Sequence, residues 1–321
     1  MNWLKKTLKF GEKIKRLIKK RPSKVDIQNS EWTSCCKGPI LKKDLEENLW
    51  VCDICNKHHR IDCKQRFDIF FGKNNYEILK TPTPSDDPLE FVDSGPYINK
   101  LSKARKNTGQ NCAVMIAKGK INNINVTVGA VNFFFMGGSI ATSEGEAIIY
   151  GIQSAIDNKT PFIMFTCGGG QRMHESPLAL AQMTRTTLAI NELKKNNLPY
   201  IVCFTDPTAG GITASFAMLG DIQISEPGCL IAFAGRRVIE GTVKEELPEN
   251  FQKAEHVQSC GFVDSIVHRK ELANSIGMLI SILLKNQSEV NSDINYETQG
   301  NNIQDRDCLL YTSDAADDDH C

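Results

Sequence analysis

Between residues 97 and 285, short apolar runs alternate with longer amphipathic stretches. Cys112–Lys118 and Ile124–Val131 read as two strands joined by the turn Asn122-Asn123. Ser143–Asp157 reads as a helix. Pro161–Thr166 is a short apolar strand, followed by a Gly-rich loop and a helix near Arg172–Lys195. Tyr200–Thr205 is another strand, followed by a second Gly-rich loop and a further helix. Asp221–Ser225 and Leu230–Phe233 complete the set as short strands. Strands alternating with helices predict α/β layering. The longest apolar run, Gly277 to Leu284, has the length of a buried helix. It falls short of the roughly 18 residues of a membrane span, so no span is expected.

Outside this domain the pattern changes. Residues 1–24, within a basic segment taken as 1–30, hold ten Lys/Arg against the single acid Glu12. Leu4, Leu8, Ile14, Leu17 and Ile18 recur there at near-helical spacing. This predicts a solvated amphipathic helix, with contact to a membrane surface or nucleic acid as the alternative. Residues 31–62 form a cysteine-rich module. Residues 63–96 read as a connecting arm, and 80–96 carry four prolines. After residue 286 periodicity is lost, and a polar tail runs to 321. Its end, Cys308–Asp318, resembles a translated sequencing adaptor and is set aside; a genuine acidic tail is the alternative.

The whole chain has 321 residues, enough for one large domain or two smaller ones. Lys+Arg and Asp+Glu are both 38, a balance that argues against a chain-wide nucleic-acid role. Twelve cysteines raise the question of disulfides. Four of them cluster between Cys35 and Cys55, while Cys112, Cys167 and Cys203 sit singly in apolar segments like small core residues. The Lys-rich N-terminus has no uninterrupted apolar stretch of a secretory signal. A reducing, cytoplasmic compartment with a metal site is expected.

Cys52-Asp-Ile-Cys55 is a knuckle whose two thiolates suit one tetrahedral zinc. A second pair is needed about 15–20 residues upstream. Cys36 fits, but its expected partner position is Thr33. Cys35 is adjacent to Cys36 and would need a distorted loop, as though two residues were missing between them. Cys63, His58 and His59 are other donors for the fourth position. A degenerate ribbon packed on Trp32, Leu49 and Trp50 is the metal-free alternative. The lysines and Arg60 of the module leave nucleic-acid contact open as a secondary role.

Phe162–Thr166 leads into Cys167-Gly168-Gly169-Gly170-Gln171-Arg172, and Ile201–Thr205 into Asp206-Pro207-Thr208-Ala209-Gly210-Gly211. Without Cβ atoms the backbone approaches a ligand closely. A following helix N-terminus would add free N–H donors and partial positive charge. That suits a developing oxyanion as well as a phosphate. Neither loop is GxxxxGK[ST] or GxGxxG. Ser139 is not in a G-x-S-x-G elbow, and His174 lacks a readable Ser and acid partner. Glu175 and Asp206 read as helix caps or as partners of Arg172 or Arg185. The pattern points to backbone donors, with the base supplied by a cofactor or substrate.

The stretches WTSCCKGPILKKDLEENLWVCDICNKHHRI, NFFFMGGSIATSEGE, FTCGGGQRMHES, YIVCFTDPTAGGITASFAMLGD, EPGCLIAFAGRRVIEGTVKEELPENFQKAEHV and GFVDSIVHR follow one another over residues 30–285. In this order they resemble the beta subunits of bacterial and plastid-type acetyl-coenzyme A carboxylase carboxyltransferase. The resemblance implies an α/β, crotonase-like (ClpP/crotonase) domain with an N-terminal zinc ribbon. It implies an α2β2 assembly with a carboxyltransferase alpha subunit, working with biotin carboxylase and the biotin carboxyl carrier protein. ATP enters at the level of that complex. The reaction implied passes a carboxyl group from carboxybiotin to acetyl-CoA, giving malonyl-CoA for fatty-acid synthesis. By resemblance, Gly169 and Gly170, with Gly210 and Gly211, stabilise the two developing anions, while Cys35, Cys36, Cys52 and Cys55 hold structural Zn2+. Arg236 and Arg237 are candidates for the phosphates of CoA, with packing or subunit contact as the alternative. A cytoplasmic location is implied, or the plastid stroma for a plastid source. The sequence departs from the family in its shortened first knuckle, in Gly168 and in its tail. A zinc-ribbon nucleic-acid binder, a hydrolase using Ser139 and a carboxyltransferase acting on propionyl-CoA are the competing readings.

Overall fold

The computed structural model describes residues 31–36, 38–244 and 247–284, with the side chains of Arg237 and Val243 excepted. The basic N-terminal segment and the polar tail lie outside the described residues.

The cysteine module is built on two small turns. Strands β1 (Trp32–Cys35) and β2 (Gly38–Leu41) pair antiparallel, with Cys35 opposite Gly38. Cys36 stands in a turn directly after β1. Helix α1 (Lys42–Glu47) follows, and the chain folds back so that Val51 bridges His58 and Cys52 N–H donates to Lys57 at 3.0 Å.

Residues 63–96 are more than an arm. Helix α2 (Cys63–Phe71) begins in a reciprocal cap: Gln65 N–H donates to the Asp62 carboxylate at 2.8 Å, and Asp62 N–H to the Gln65 side chain at 2.9 Å. Cys63, Phe67, Phe70 and Phe71 form its buried stripe. Strand β3 (Tyr76–Ile78) then joins the edge of the main sheet, and residues 79–96 run without regular structure. Helix α3 (Tyr97–Thr108) ends at Gly109, which is left-handed at φ 68°.

Strands β4 (Val114–Ile121) and β5 (Ile124–Val131) form the expected hairpin. Asn122 and Asn123 both take positive φ, 47° and 63°, as a two-residue turn of the right twist requires. Helix α4 (Thr142–Asp157), strand β6 (Phe162–Gly168), helix α5 (Ser176–Lys195) and strand β7 (Tyr200–Ala209) complete the central layers. The rest is short: β8 (Ile222–Ser225), β9 (Ile231–Ala232), α6 (Arg236–Val243), α7 (Ala254–Ser259), β10 (Ser265–Ile266) and the apolar α8 (Leu272–Leu283).

The sheet order is β10-β8-β7-β6-β5-β4-β3. Strands from β5 to β10 run parallel, and β4 and β3 extend the edge antiparallel. Strand β7 serves two layers. Its first half pairs with β6 and β8, while Thr208 and Ala209 pair with β9. Alternation along the central strands feeds two cores. Phe162, Met164, Val202 and Phe204 pack with Ile148, Ile152 and Ile190 from α4 and α5. Ile163, Phe165, Ile201 and Cys203 pack with α2 and with Leu272, Ile276 and Ile280 of α8. Central strands buried on both faces read as continuous apolar runs.

Two helix expectations need correction. The helix expected from Arg172 begins at Ser176, after a 3-10 turn over Met173–Glu175. The second glycine loop opens no α-helix; it leads into turns and a 3-10 helix, Phe216–Leu219. There the hydroxyls of Thr213 and Ser215 donate to the carbonyls of Gly210 and Gly211, at 2.7 and 2.5 Å. Such local bonds compete with a helical ladder.

A buried carboxylate joins module and domain. Glu226 accepts from Arg66 of α2 at 2.5 Å and from Arg269 at 2.8 and 2.6 Å. Burial alone would raise its pKa; the two arginines outweigh this and hold it well below 4.5. Arg269 also donates to the carbonyls of Leu49, Trp50 and His59, at 3.1, 3.3 and 3.0 Å. Glu226→Ala leaves two guanidiniums buried with no counter-charge. It is expected to cost about 3–5 kcal/mol, read as a lowered urea midpoint. An unchanged midpoint would show that the carboxylate is dispensable. In the intact protein this contribution is full above the ordinary carboxylate pKa and is lost as pH falls below it, because the folded value is depressed.

Candidate active site

The two glycine loops meet. Strand β6 ends at Gly168, at φ 135°, and Gly170 takes φ 121°. Gly168 packs backbone to backbone on Gly138: a Cβ on Gly138 would lie 2.8 Å from the Cys167 carbonyl oxygen. A Cβ on Gly170 would come within 3.1 Å of Gly211 N, and one on Gly210 within 2.8 Å of Gly169 O. Gly137-Gly138, Gly169-Gly170 and Gly210-Gly211 are thus three backbone segments in contact.

Their N–H groups divide into two kinds. Gly169 N–H donates to Gly137 O at 3.2 Å, and Gly210 N–H to Ala232 O and Phe233 O at 3.0 and 3.1 Å. The N–H groups of Gly170 and Gly211 have no protein acceptor among the described residues. Gly170 is braced from behind, since Ile140 N–H donates to its carbonyl at 2.9 Å. The helix dipole expected behind each loop is not at hand: α5 starts beyond Gly170 at Ser176, and the second loop has no α-helix. The available positive ends are loop amides, fixed by neighbouring backbone.

The polar side chains nearby are engaged. Arg172 is buried and donates to Glu144 at 2.6 Å, to Tyr97 Oη at 3.0 Å and to Ser139 Oγ at 3.1 Å. Its buried cation is opposed by desolvation but held charged by Glu144. Ser139 Oγ donates to Met136 O at 2.9 Å, so its proton is committed. Glu175 accepts from Tyr97 at 2.8 Å and from Thr142 N–H at 2.9 Å, capping α4. His174 stacks on Tyr97, with Lys100 at 3.3 Å from Nε2, and burial lowers its pKa. Arg185 pairs with Glu146 at 2.5 Å. Asp206 accepts from Leu230 N–H at 3.1 Å and pairs with Arg60 at 3.3 Å. Arg236 donates to Glu240 at 2.7 Å and to Pro248 O at 2.9 Å, and also reaches Leu247 O. The Arg237 side chain lies outside the described residues.

All four cysteines of the module converge. The sulfurs of Cys35, Cys36, Cys52 and Cys55 lie within 4.8 Å of one another, and Cys35 and Cys55 are 3.6 Å apart. A tetrahedral ion with metal–sulfur bonds of about 2.3 Å needs sulfurs about 3.8 Å apart, so a small contraction suffices. The hydrogen bond from Cys36 is the main cause that draws Cys55 down to about 7, whereas burial pushes Cys63, Cys112 and Cys167 up to about 12. Within the module only Cys55 is acidified: burial pushes Cys35 up to about 12, and the hydrogen bond with Cys55 raises Cys36. The alternative donors fall elsewhere. Cys63 donates to Ala130 O at 3.1 Å, and His58 lies 3.5 Å from Glu226. His59 stands beside the cluster, with Nε2 at 3.3 Å from Cys35.

Sequence reasoning missed Arg66, Glu226 and Arg269, and reads Arg60 only as a surface charge open to nucleic acid. Each partner lies far along the chain, as with the 160 residues between Arg66 and Glu226. Gly137-Gly138 carried a signal, but it was weighed only for the adjacent serine.

Known proteins agree with this architecture. Transcarboxylase 12S, in a structure with methylmalonyl-coenzyme A and methylmalonic acid bound, superposes with a TM-score of 0.56. The identity is 20%, over 69% of this chain and 41% of that one. A Pseudomonas malonate decarboxylase hetero-tetramer in complex with malonate gives 0.56 at 18% identity, over 69% and 82%. These likenesses establish a crotonase-like α/β fold. Residues 89–307 match the carboxyl transferase domain family. The acetyl-coenzyme A carboxylase carboxyl transferase subunit beta of Pelagibacter ubique (strain HTCC1062) is 66% identical over 295 residues, 92% of this chain and 96% of that protein. The same subunit of Caulobacter vibrioides (strain NA1000 / CB15N) is 46% identical over 264 residues, 82% and 86% of the two chains. With its glycine loops, four-cysteine module and near full-length identity, this chain belongs to the family of acetyl-coenzyme A carboxylase carboxyl transferase beta subunits.

Proposed function

We propose that this chain, as a beta subunit, transfers the carboxyl group of carboxybiotin to acetyl-CoA, giving malonyl-CoA. The observation that carries this reading is the pair of amides, Gly170 and Gly211, without protein acceptors where two loops abut. Carboxybiotin on its carrier protein supplies the carboxyl group and the base that takes the acetyl proton. Negative charge then develops on the thioester oxygen and on the biotin ureido oxygen. Fixed N–H donors stabilise such charge without reorganising. In this reading Gly170 and Gly211 donate, while Gly169 and Gly210 shape the turns that present them. Arg236 and Arg237 follow directly on the Phe233–Gly235 stretch, whose Phe233 carbonyl takes the Gly210 N–H. That supports a place for them beside the phosphates of CoA.

The site is proposed to be completed by a carboxyltransferase alpha subunit in an α2β2 assembly, served by biotin carboxylase and its carrier. Among the described residues no helix is long and apolar enough to cross a membrane, and a cytoplasmic setting is proposed. Structural Zn2+ is the proposed occupant of the four-cysteine cluster, which has the donor number and softness that zinc takes when it holds a fold.

The test of function runs the reaction in reverse, with malonyl-CoA and biocytin. Acetyl-CoA is expected when the chain is combined with a cognate alpha subunit and not from the chain alone. No turnover by an assembled complex would refute the assignment. Gly169→Val gives a sharper outcome. Gly169 is exposed, and a Cβ there meets nothing within 4 Å, so the fold should tolerate the change. Turnover is expected to fall about 100-fold or more, since the variant adds bulk at the residue next to the Gly170 donor. Full activity in this variant would place the chemistry elsewhere.

For the metal, the purified chain is expected to carry about one zinc, and Cys52→Ser to carry almost none. Hydrogen exchange should then quicken over residues 32–59 while the central strands stay protected, because a ribbon this small has little core of its own. Unchanged zinc content in the variant would refute the ligand set.

A further inference from the structure

Arg60 sits where the cysteine module hands the chain to the domain, and its guanidinium reaches the second glycine loop. Nε donates to the Asp206 carbonyl oxygen at 3.1 Å, and a terminal nitrogen to Asp206 Oδ2 at 3.3 Å. The guanidinium also lies over the Phe133 ring, 4.0 Å from its centre. Asp206 is the root of the loop that ends in Gly210-Gly211. Its other carboxylate oxygen takes Leu230 N–H, and Thr208 N–H donates to Leu230 O at 2.8 Å, which holds the tail of β7 beside β9. Phe133 belongs to the 132–139 turn, whose Gly137 carbonyl takes the Gly169 N–H. A single side chain therefore touches the base of the second loop and the turn that packs against the first.

The backbone around Arg60 is itself fixed. His59 N–H donates to Trp50 O at 2.9 Å, and His59 O accepts from Arg269 at 3.0 Å. The Arg60 and Asp206 side chains are 40% and 31% exposed, and ion pairs of that kind contribute little to stability. What two donors and a stacked ring do fix is geometry. A planar fork pins both the carbonyl and the carboxylate of one residue, which a lysine ammonium does not reproduce.

We propose that Arg60 is a positioning residue for carboxyl transfer, holding Asp206 so that the Gly211 amide keeps its place beside the Gly170 amide. This rests on the function proposed above. Arg60 acts through Asp206 and not on the substrate.

The experiment uses the assembled complex with the alpha subunit, assayed with malonyl-CoA and biocytin. Arg60→Ala is expected to lower kcat about 10- to 100-fold, the scale of a misplaced catalytic group. KM for malonyl-CoA should stay within about threefold, and the thermal midpoint within about 2 °C. Arg60→Lys should recover part of kcat. The double variant Arg60→Ala/Asp206→Ala should be no slower than the slower single variant, as expected for groups acting in one chain. Several results overturn the inference: kcat within about twofold of wild type, a KM effect with kcat preserved, full activity in Arg60→Lys, or losses that multiply in the double variant. If Arg60→Ala fails to assemble, Arg60→Lys decides alone. An inactive wild-type complex removes the carboxyl-transfer reading and this inference with it. An active wild type matched by Arg60→Ala removes only this one.

Discussion

The arrangement of this protein turns on one buried carboxylate. Glu226 receives Arg66 from α2 and Arg269 from the approach to α8, and the remaining Arg269 donors take three carbonyls of the cysteine module. Bringing three charged groups out of water is costly unless each finds partners. Here each does, and losing Glu226 strands both arginines. A module with few buried apolar side chains is thereby placed on the domain by hydrogen bonds to its backbone, to which the Arg60 side chain adds its contact with Asp206.

A second buried cluster does similar work for the first glycine loop. Arg172 binds Glu144, Tyr97 and Ser139, while its N–H donates to Ile140 O and Ile140 N–H to Gly170 O. The second loop is held differently. After its pairing with β8 ends, strand β7 takes β9 as a new neighbour, while Thr208 still pairs with Gly168 of β6. At such a switch the ladder runs out of partners, and amides are left unpaired. Gly211 is one of them. The site is therefore a consequence of sheet topology, with the Arg172 cluster bracing its first half.

What the sequence disclosed follows the range of each interaction. Runs such as Phe162–Phe165 and Tyr200–Phe204 declare doubly buried strands, and Asn122-Asn123 declares a hairpin, because neighbours decide both. Helix α2 left a legible mark, Asp62 with Gln65 ahead of Phe67, Phe70 and Phe71, which the proline-rich stretch after it obscured. The missing second helix was not legible: Thr213 and Ser215 are acceptable in a helix until their hydroxyls meet Gly210 and Gly211 carbonyls. Cys35 shows the limit of counting residues. Spacing rules assume a knuckle of fixed length, whereas the sulfurs only need to converge, and with β1 paired to β2 those of Cys35 and Cys36 lie beside those of Cys52 and Cys55. The glycine loops were visible as a pair of motifs, but their contact was not, since it arises from the parallel pairing of β6 with β7.

The side chains that would otherwise invite a mechanism are spent on structure. Ser139 gives its proton to a carbonyl and its lone pair to Arg172. Glu175 caps α4 and takes the Tyr97 hydroxyl, and Asp206 anchors Leu230. His174 lies against Tyr97 beside a lysine, in surroundings that disfavour its charged form. A general base needs a free lone pair and an open approach. Ser139 and Glu175 have their atoms committed to hydrogen bonds, and the unpartnered Nδ1 of His174 is buried without an open approach. In the proposed reading, chemistry at this site uses groups with nothing else to do, the amides of Gly170 and Gly211. Amides cannot accept protons, so in that reading the co-substrate brings its own base. Carboxybiotin, with its ureido group, meets that requirement, whereas water attacking an ester does not. This asymmetry favours carboxyl transfer over hydrolysis at the same fold.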